Sequence, residues 1–368
     1  MKLILVLFVV SVLASGFLAF GCVQPQPEIG QNDSASDLEL ENQTASYNST
    51  SIESPETEPT GTGNGTGSVN VSVDGNEPID NTTETTENEA AVPPIEHWIL
   101  ENGTRIAEGV SPSLINVDGK VVLYYTGMGG IFRTSSDDGI NFDTPVKAMD
   151  QASNSAIIQL RNGGYRMIYN DMSTPPKPGE RHPSSQYFLS AYSGDGLNWE
   201  KESGTRFRSM GAPDYDTLSV PSVIDIGNGT IRMYFVGDMY AIDYGREGNN
   251  IRSAISTDEG LIWVREPGER ISGDSMDPAI VKIGDYYRMY YTVTDFELDM
   301  QEVYSAISQD GLGFIKEGVV LESPGPGQRF MDPEFMEFEG VRRMYISLAT
   351  GMGQSEQTQI ISAVLNEN

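Results

Sequence analysis

From Ser111 to the C-terminus the chain repeats one pattern: a short run rich in Val, Ile or Tyr, a break at Asp-Gly, Asn-Gly or a similar pair, then a second such run. Apolar runs of this length, parted by turn dipeptides, predict antiparallel hairpins. The five copies are SPSLINVDGKVVLYYTG from Ser111, NSAIIQLRNGGYRMIYND from Asn154, VPSVIDIGNGTIRMYFVGD from Val220, MDPAIVKIGDYYRMYY from Met276 and MDPEFMEFEGVRRMYI from Met331. After each of the first four comes a third run, a Ser/Asp/Gly turn and a fourth run, as in LSAYSGDGLNWEKESG and RSAISTDEGLIWVREPG. The fifth copy stops at ISAVLNEN, where its turn is due.

The missing strand lies at the other end of the repeat region. His97 to Ile106 (HWILENGTRI) matches the fourth strands WEKESGTRF and WVREPGERI at the Trp, Glu, Gly and Arg. A repeat unit of this kind cannot bury its apolar face alone, and an N-terminal strand that completes the last unit removes the open sheet edges. The pattern therefore predicts an all-β fold, a five-bladed β-propeller over residues 96–368 with four-stranded blades, the last one closed by Trp98–Ile106 beside Gln359–Leu365.

Residues 1–21 read as a signal peptide: Lys2, an apolar run from Leu3 to Phe20, then Gly21. Ala19-Phe20-Gly21-Cys22 resembles a lipoprotein lipobox, and Cys22, the one cysteine of the chain, is the expected lipidation site. An uncleaved signal anchor is the alternative. Residues 22–95 contain fourteen acidic residues and no Lys or Arg. A segment so poor in apolar residues does not offset its chain entropy and reads as a disordered stalk. Asn32, Asn42, Asn48, Asn64, Asn70 and Asn81 each head an N-x-S/T sequon, as expected of a glycosylated tether outside the cell. The predicted location is the cell surface, on the outer face of the membrane, or secreted. The formal charge of −30 argues against nucleic acid and anionic lipid as partners. The N-terminal anchor is then the one membrane contact expected, and the chain is expected to be a monomer.

Propeller geometry sorts the remaining residues by end. The S-x-D-G-x-x-W turns fall at the bottom; Ser135, Asp137, Gly139 and Phe142, like Ser256, Asp258, Gly260 and Trp263, match the sialidase Asp-box, where the Asp caps a tight turn. The recurrent Arg166, Arg232, Arg288 and Arg343 read as structural. At the opposite end the five inner strands begin with Ser111, Asn154, Val220, Asp277 and Asp332. The long second-to-third connections gather there, bringing Asp171, Arg181, His182, Asp238 and Asp295 as candidate substrate-binding residues. Asp214 and Asp216 could extend a sugar subsite or hold Ca2+, and otherwise read as a solvated loop. No other cofactor is expected.

Blades written DP-x-x-x-x-x-x-G-x-Y-x-M-x-Y and followed by S-x-D-G-x-x-W resemble the five-bladed propellers of glycoside hydrolase families 43, 32, 68 and 130, over the whole of residues 96–368. In family 43 that resemblance implies an Asp base, an orienting Asp and a Glu acid on the first three blades, where this chain has Ser111, Asn154 and Val220. The carboxylates present instead are Asp277, Asp332 and Glu334, the last expected on the same side of its strand as Asp332. Glycoside hydrolysis needs a protonated acid and an ionised carboxylate, roughly 5 Å or 6.5–9.5 Å apart according to the stereochemistry. Crowding raises one pKa and so supplies the acid. The structural alternative is that each Met-Asp-Pro motif caps its strand. With His97 and His182 the only histidines and no Cys or His metal spacing, serine-hydrolase and zinc chemistries have no footing. Two functions remain: a surface glycosidase, or a noncatalytic propeller that binds glycan or protein.

Overall fold

The computed structural model describes residues 91–161, 163–173, 187–208, 218–237, 249–295, 297–351 and 355–366. Among them the architecture is all-β, and no helix is long and apolar enough to cross a membrane. The first unit comprises β2 (Val110–Val117), β3 (Lys120–Gly127), β4 (Gly130–Ser136) and β5 (Val146–Asp150). The second has β6 (Ala152–Gln159), β7 (Tyr165–Asp171), β8 (Tyr187–Ser193), and two short outer pieces, β9 (Glu200–Lys201) and β10 (Phe207–Arg208). The third has β11 (Ser219–Gly227), β12 (Thr230–Gly237), β13 (Asn250–Ser256) and β14 (Val264–Arg265). The fourth has β15 (Ser275–Ile283), β16 (Tyr286–Asp295), β17 (Met300–Ser308) and β18 (Ile315–Leu321). The fifth has β19 (Gln328–Phe338), β20 (Val341–Thr350) and β21 (Gln357–Leu365), completed by β1 (Trp98–Leu100).

Every unit is an antiparallel meander, and the inner strands touch in the cyclic order β2, β6, β11, β15, β19 and back to β2. The ring closes as the repeat predicts. Trp98 pairs with Leu365 and Leu100 with Ala363, and Ile106 bridges Ile360 further along. Trp98 is buried against Tyr290 and Phe335, so the closing strand is fastened by packing as well as by its ladder.

The recurrent arginines tie one unit to the next. Arg166, Arg232, Arg288 and Arg343 each bind a glutamate from the outer strand of their own unit, namely Glu202, Glu266, Glu317 and Glu101, at 2.9–3.0 Å. A serine on the third strand donates to the same carboxylate: Ser190, Ser253, Ser305 or Ser362. The guanidinium then reaches a backbone carbonyl of the following unit: Glu259, Asp310 and Asp138 accept from Arg166, Arg232 and Arg343. A guanidinium fork suits such a three-way junction, and its burial demands the pairing. Buried tyrosines do likewise, as Tyr124, Tyr234 and Tyr345 donate to the carbonyls of Gly196, Gly311 and Gly139.

Where the fifth turn is missing, the incoming chain takes its place. Arg288 donates to the carbonyls of Pro93 and Pro94 at 3.2 and 2.8 Å, and Tyr290 donates to Glu96. Glu96 also pairs with Arg342 and lies 3.2 Å from Arg288, whose side chain is fully buried. Residues 93–101 thus supply both the absent strand and the acceptors of the absent turn.

In the first turn the sequence match is one residue out of register. Ser136 and Asp138, not Ser135 and Asp137, make the box: Asp138 accepts the N–H groups of Ile140 and Asn141 at 2.8 Å and is held well below the usual carboxylate range by those bonds. Asp137 is exposed and pairs with Lys120 at 2.8 Å. The S-x-D-G spacing itself fits Ser136, Asp138 and Gly139; Ser135 and Asp137 match only the longer S-x-D-x-G of the third unit. Asp195, Asp258 and Asp310 cap their turns as expected. Asp138→Ala should lower the stability by about 1 kcal/mol, as loss of a backbone cap does. Asp137→Ala should change it by less than about 0.5 kcal/mol, as for an exposed ion pair. Thermal midpoints measured side by side check the assignment.

Candidate functional site

All five inner strands open with the same irregularity. The ladder slips between Val110 and Ser113, Ser153 and Ala156, Ser219 and Ser222, Met276 and Ala279, and Met331 and Glu334. At each slip one residue adopts the left-handed backbone: Ser111 (φ 54), Asn154 (φ 47), Val220 (φ 45), Asp277 (φ 53) and Asp332 (φ 50). These are β-bulges with a non-glycine residue at positive φ, a conformation that Asn and Asp tolerate best. Proline follows at 112, 221, 278 and 333, where it lacks a ladder N–H that the bulge does not need.

The lead residues clasp one another around the ring. Asp277 is buried, and its Oδ2 accepts from Thr292 Oγ1 at 2.7 Å and from Gln301 Nε2 at 3.1 Å. The backbone N–H of Asp332, one unit on, also donates to the Asp277 carboxylate. Asp332 repeats the arrangement: its Oδ2 accepts from the Ser111 N–H at 3.1 Å and lies 2.9 Å from Ser111 Oγ and 3.2 Å from Ser347 Oγ. Ser111 Oγ lies equally 2.9 Å from Asn154 Oδ1, and Asn154 Nδ2 donates to Ser219 Oγ at 3.2 Å. The hydroxyl of Ser111 has one proton for two acceptors. It donates to one of them at a time.

Burial, with the Asp332 carboxylate close by, pushes Asp277 well above the usual carboxylate range; burial raises Asp332 against the pull of Ser111 and Ser347. Two buried carboxylates that repel each other cannot both ionise readily, which favours the protonated form in the pair. In Asp332 the three side-chain contacts all fall on Oδ2, which leaves Oδ1 outside that clamp.

Glu334 occupies the first position after the bulge, where the other units carry Ser113, Ala156, Ser222 and Ala279. It lies opposite Tyr345, which reaches Gly139 in the first unit, so Glu334 shares the side of β19 on which Asp332 meets Ser111. Simple alternation is not what places it there, because the bulge breaks the register between Met331 and Glu334. Half-buried Glu334 is pushed up to about 8 by desolvation, against one bond from the Phe335 N–H.

Asp171 and Asp295 are not drawn in. Asp171 accepts from the Ser173 N–H and from Tyr187 at 3.1 and 3.2 Å, and Asp295 accepts from the N–H groups of Glu297 and Leu298; both cap turns at strand ends. Arg181, His182, Asp214, Asp216 and Asp238 lie outside the described residues, as do Cys22 and the six stalk sequons. Among the described residues no group of three or more His, Cys, Asp or Glu is placed to hold a metal ion. A cleft of about 310 Å³ beside Lys282, Phe335 and Arg342 sits at the turn end of the fourth and fifth units, away from the lead residues. Sequence reading missed Thr292, Gln301, Ser347 and the clasping roles of Ser111 and Asn154. The one signal for them was proline directly after four of the five lead positions.

No family model matches the chain, and no curated protein does. Solved structures do. A thermostable family-43 glycoside hydrolase superposes with a TM-score of 0.59 at 14% identity, covering 73% of this chain and 94% of that one. A family 117 glycoside hydrolase from the marine bacterium Zobellia galactanivorans gives 0.57 at 15%, covering 73% and 90%. An α-L-arabinanase of Cellvibrio cellulosa, complexed with arabinohexaose, gives 0.52 at 14%, covering 70% and 92%. This chain has the β-propeller fold of those glycoside hydrolases.

Proposed function

We propose that this chain is a glycan-directed propeller of the glycosidase type, displayed outside the cell on its stalk, and that Asp277 and Asp332 serve the sugar. The observation that carries this reading is the pair itself: two buried, clamped carboxylates at the lead ends of neighbouring inner strands, each held above the usual carboxylate range by burial. Such a pair supplies at once the acid that protonates a leaving oxygen and the carboxylate that acts on the anomeric centre or on water. Glu334, two residues on and pushed up to about 8 by desolvation, is the third acid of the set. The arabinohexaose bound by the arabinanase supports carbohydrate as the ligand class. A signal-like N-terminus ending at Cys22 and a sequon-rich acidic tether support display at the surface.

A noncatalytic glycan binder is the second reading, favoured by the Ser, Asn and Val at the other three lead positions and by the inter-unit bonds on both aspartates. Incubation of the whole chain with aryl-glycosides and extracellular polysaccharides separates the two. Release of reducing ends supports hydrolysis, whereas saturable binding without release supports the binder. Neither turnover nor binding across the panel would sink both.

A further inference from the structure

Two more Asn-x-Thr sequons lie within the folded domain itself: Asn102-Gly103-Thr104 and Asn228-Gly229-Thr230. Asn228 is exposed at the tip of the hairpin between β11 and β12, with φ 51, flanked by Gly227 and Gly229 at φ 95 and 80. Asn102 is exposed on the outer edge of the closing segment, beside Gly103 at φ 92.

Neither turn requires asparagine. Asp118-Gly119-Lys120 makes the equivalent hairpin in the first unit, with Asp118 at φ 51. Ser203-Gly204 and Pro267-Gly268 make the equivalent of Asn102-Gly103, with the glycines at φ 88 and 80. Each sequon therefore sits on a protruding, solvated turn that holds its shape with other side chains. A bulky hydrophilic modification needs such a place.

We propose that Asn102 and Asn228 are N-glycosylation sites. The donor is a polyprenyl-phosphate-linked oligosaccharide presented by a membrane transferase. Asn Nδ2 attacks C1 of the sugar, the N–C1 bond forms, the C1–O bond to phosphate breaks, Nδ2 loses one proton and the lipid phosphate leaves with the electron pair. A glycan on Asn228 covers the turn end of the ring and one on Asn102 its outer edge. The lead ends that hold Asp277 and Asp332 lie at the opposite end of the strands from Asn228.

Mass spectrometry of the chain purified from its native cells tests this independently of any enzymatic activity. Peptides spanning Asn102 and Asn228 should carry hexose-containing additions. Asn102→Ser and Asn228→Asp copy the residues that make the same turns elsewhere in the ring, so each should remove one glycan increment from the intact mass and leave the thermal midpoint unchanged. Thr230→Ser keeps the sequon and should keep the glycan. Recovery of both peptides in unmodified form alone overturns the proposal, whether or not the stalk sequons are occupied.

Discussion

Asp277→Asn and Asp332→Asn should each lower glycan hydrolysis by about 10²–10⁴-fold, the usual share of a positioned general acid or base, with little change in ground-state affinity. Their effect on stability separates chemistry from capping. The folded-state pKa of Asp277 is raised above its ordinary 3.8, so its protonated form is the one that suits the fold. The contribution of such a group is fully present below the unfolded pKa and is lost as pH rises through the folded one. The wild-type midpoint should accordingly fall between about pH 4 and pH 8, and Asp277→Asn, neutral throughout, should flatten that slope and be no less stable at pH 8. Activity and a pH series of melting curves are the measurements. Unfolded variants, or unchanged turnover with a flattened slope, would leave the two aspartates as clasps of the ring and nothing more.

Deleting residues 91–106 should abolish cooperative folding, whereas deleting 23–90 should leave the midpoint where it was. The first deletion removes β1, Trp98 and the two acids Glu96 and Glu101. It strands Arg288 and Arg343, whose side chains are 0% and 10% exposed, without those partners. Removing one partner of a buried pair costs about 3–5 kcal/mol, and two such losses match much of the stability of an ordinary domain, about 5–15 kcal/mol. The outer edge of β21 is opened at the same time. Calorimetry on the two deletions gives the answer, and similar midpoints would contradict the closure.

Much of the fold was legible because it is written five times. Short Val-, Ile- and Tyr-rich runs, turn dipeptides and a displaced fourth strand fix the meander and its closure, and the arginines before each Met stood out as structural by their recurrence. What the repeat concealed was backbone. No glycine marks the left-handed lead positions, so Ser111, Asn154 and Val220 looked like absences of the Asp-Pro motif. They are in fact other occupants of one conformation. Confinement of the aspartates to two units therefore does not argue against a capping role, since Ser111 and Asn154 clasp their neighbours as the aspartates do. The site was legible only as a set of carboxylates. Their clamps, Thr292, Gln301 and Ser347, come from second and third strands whose alignment to the lead residue depends on a bulge that spacing does not reveal.

That shared bulge also bears on how such rings change over time. Because the backbone at Ser111 and Asn154 already has the shape that holds an acid at Asp277 and Asp332, a single codon change can add a carboxylate to one unit or delete it from another without remodelling the chain. Acid chemistry can then migrate around the ring one step at a time while the architecture stays put. Val220 is the exception, a β-branched side chain held at φ 45, where such residues sit least comfortably. It marks the unit at which a lineage gains most, in backbone ease and in hydrogen bonding, by acquiring Asn or Asp.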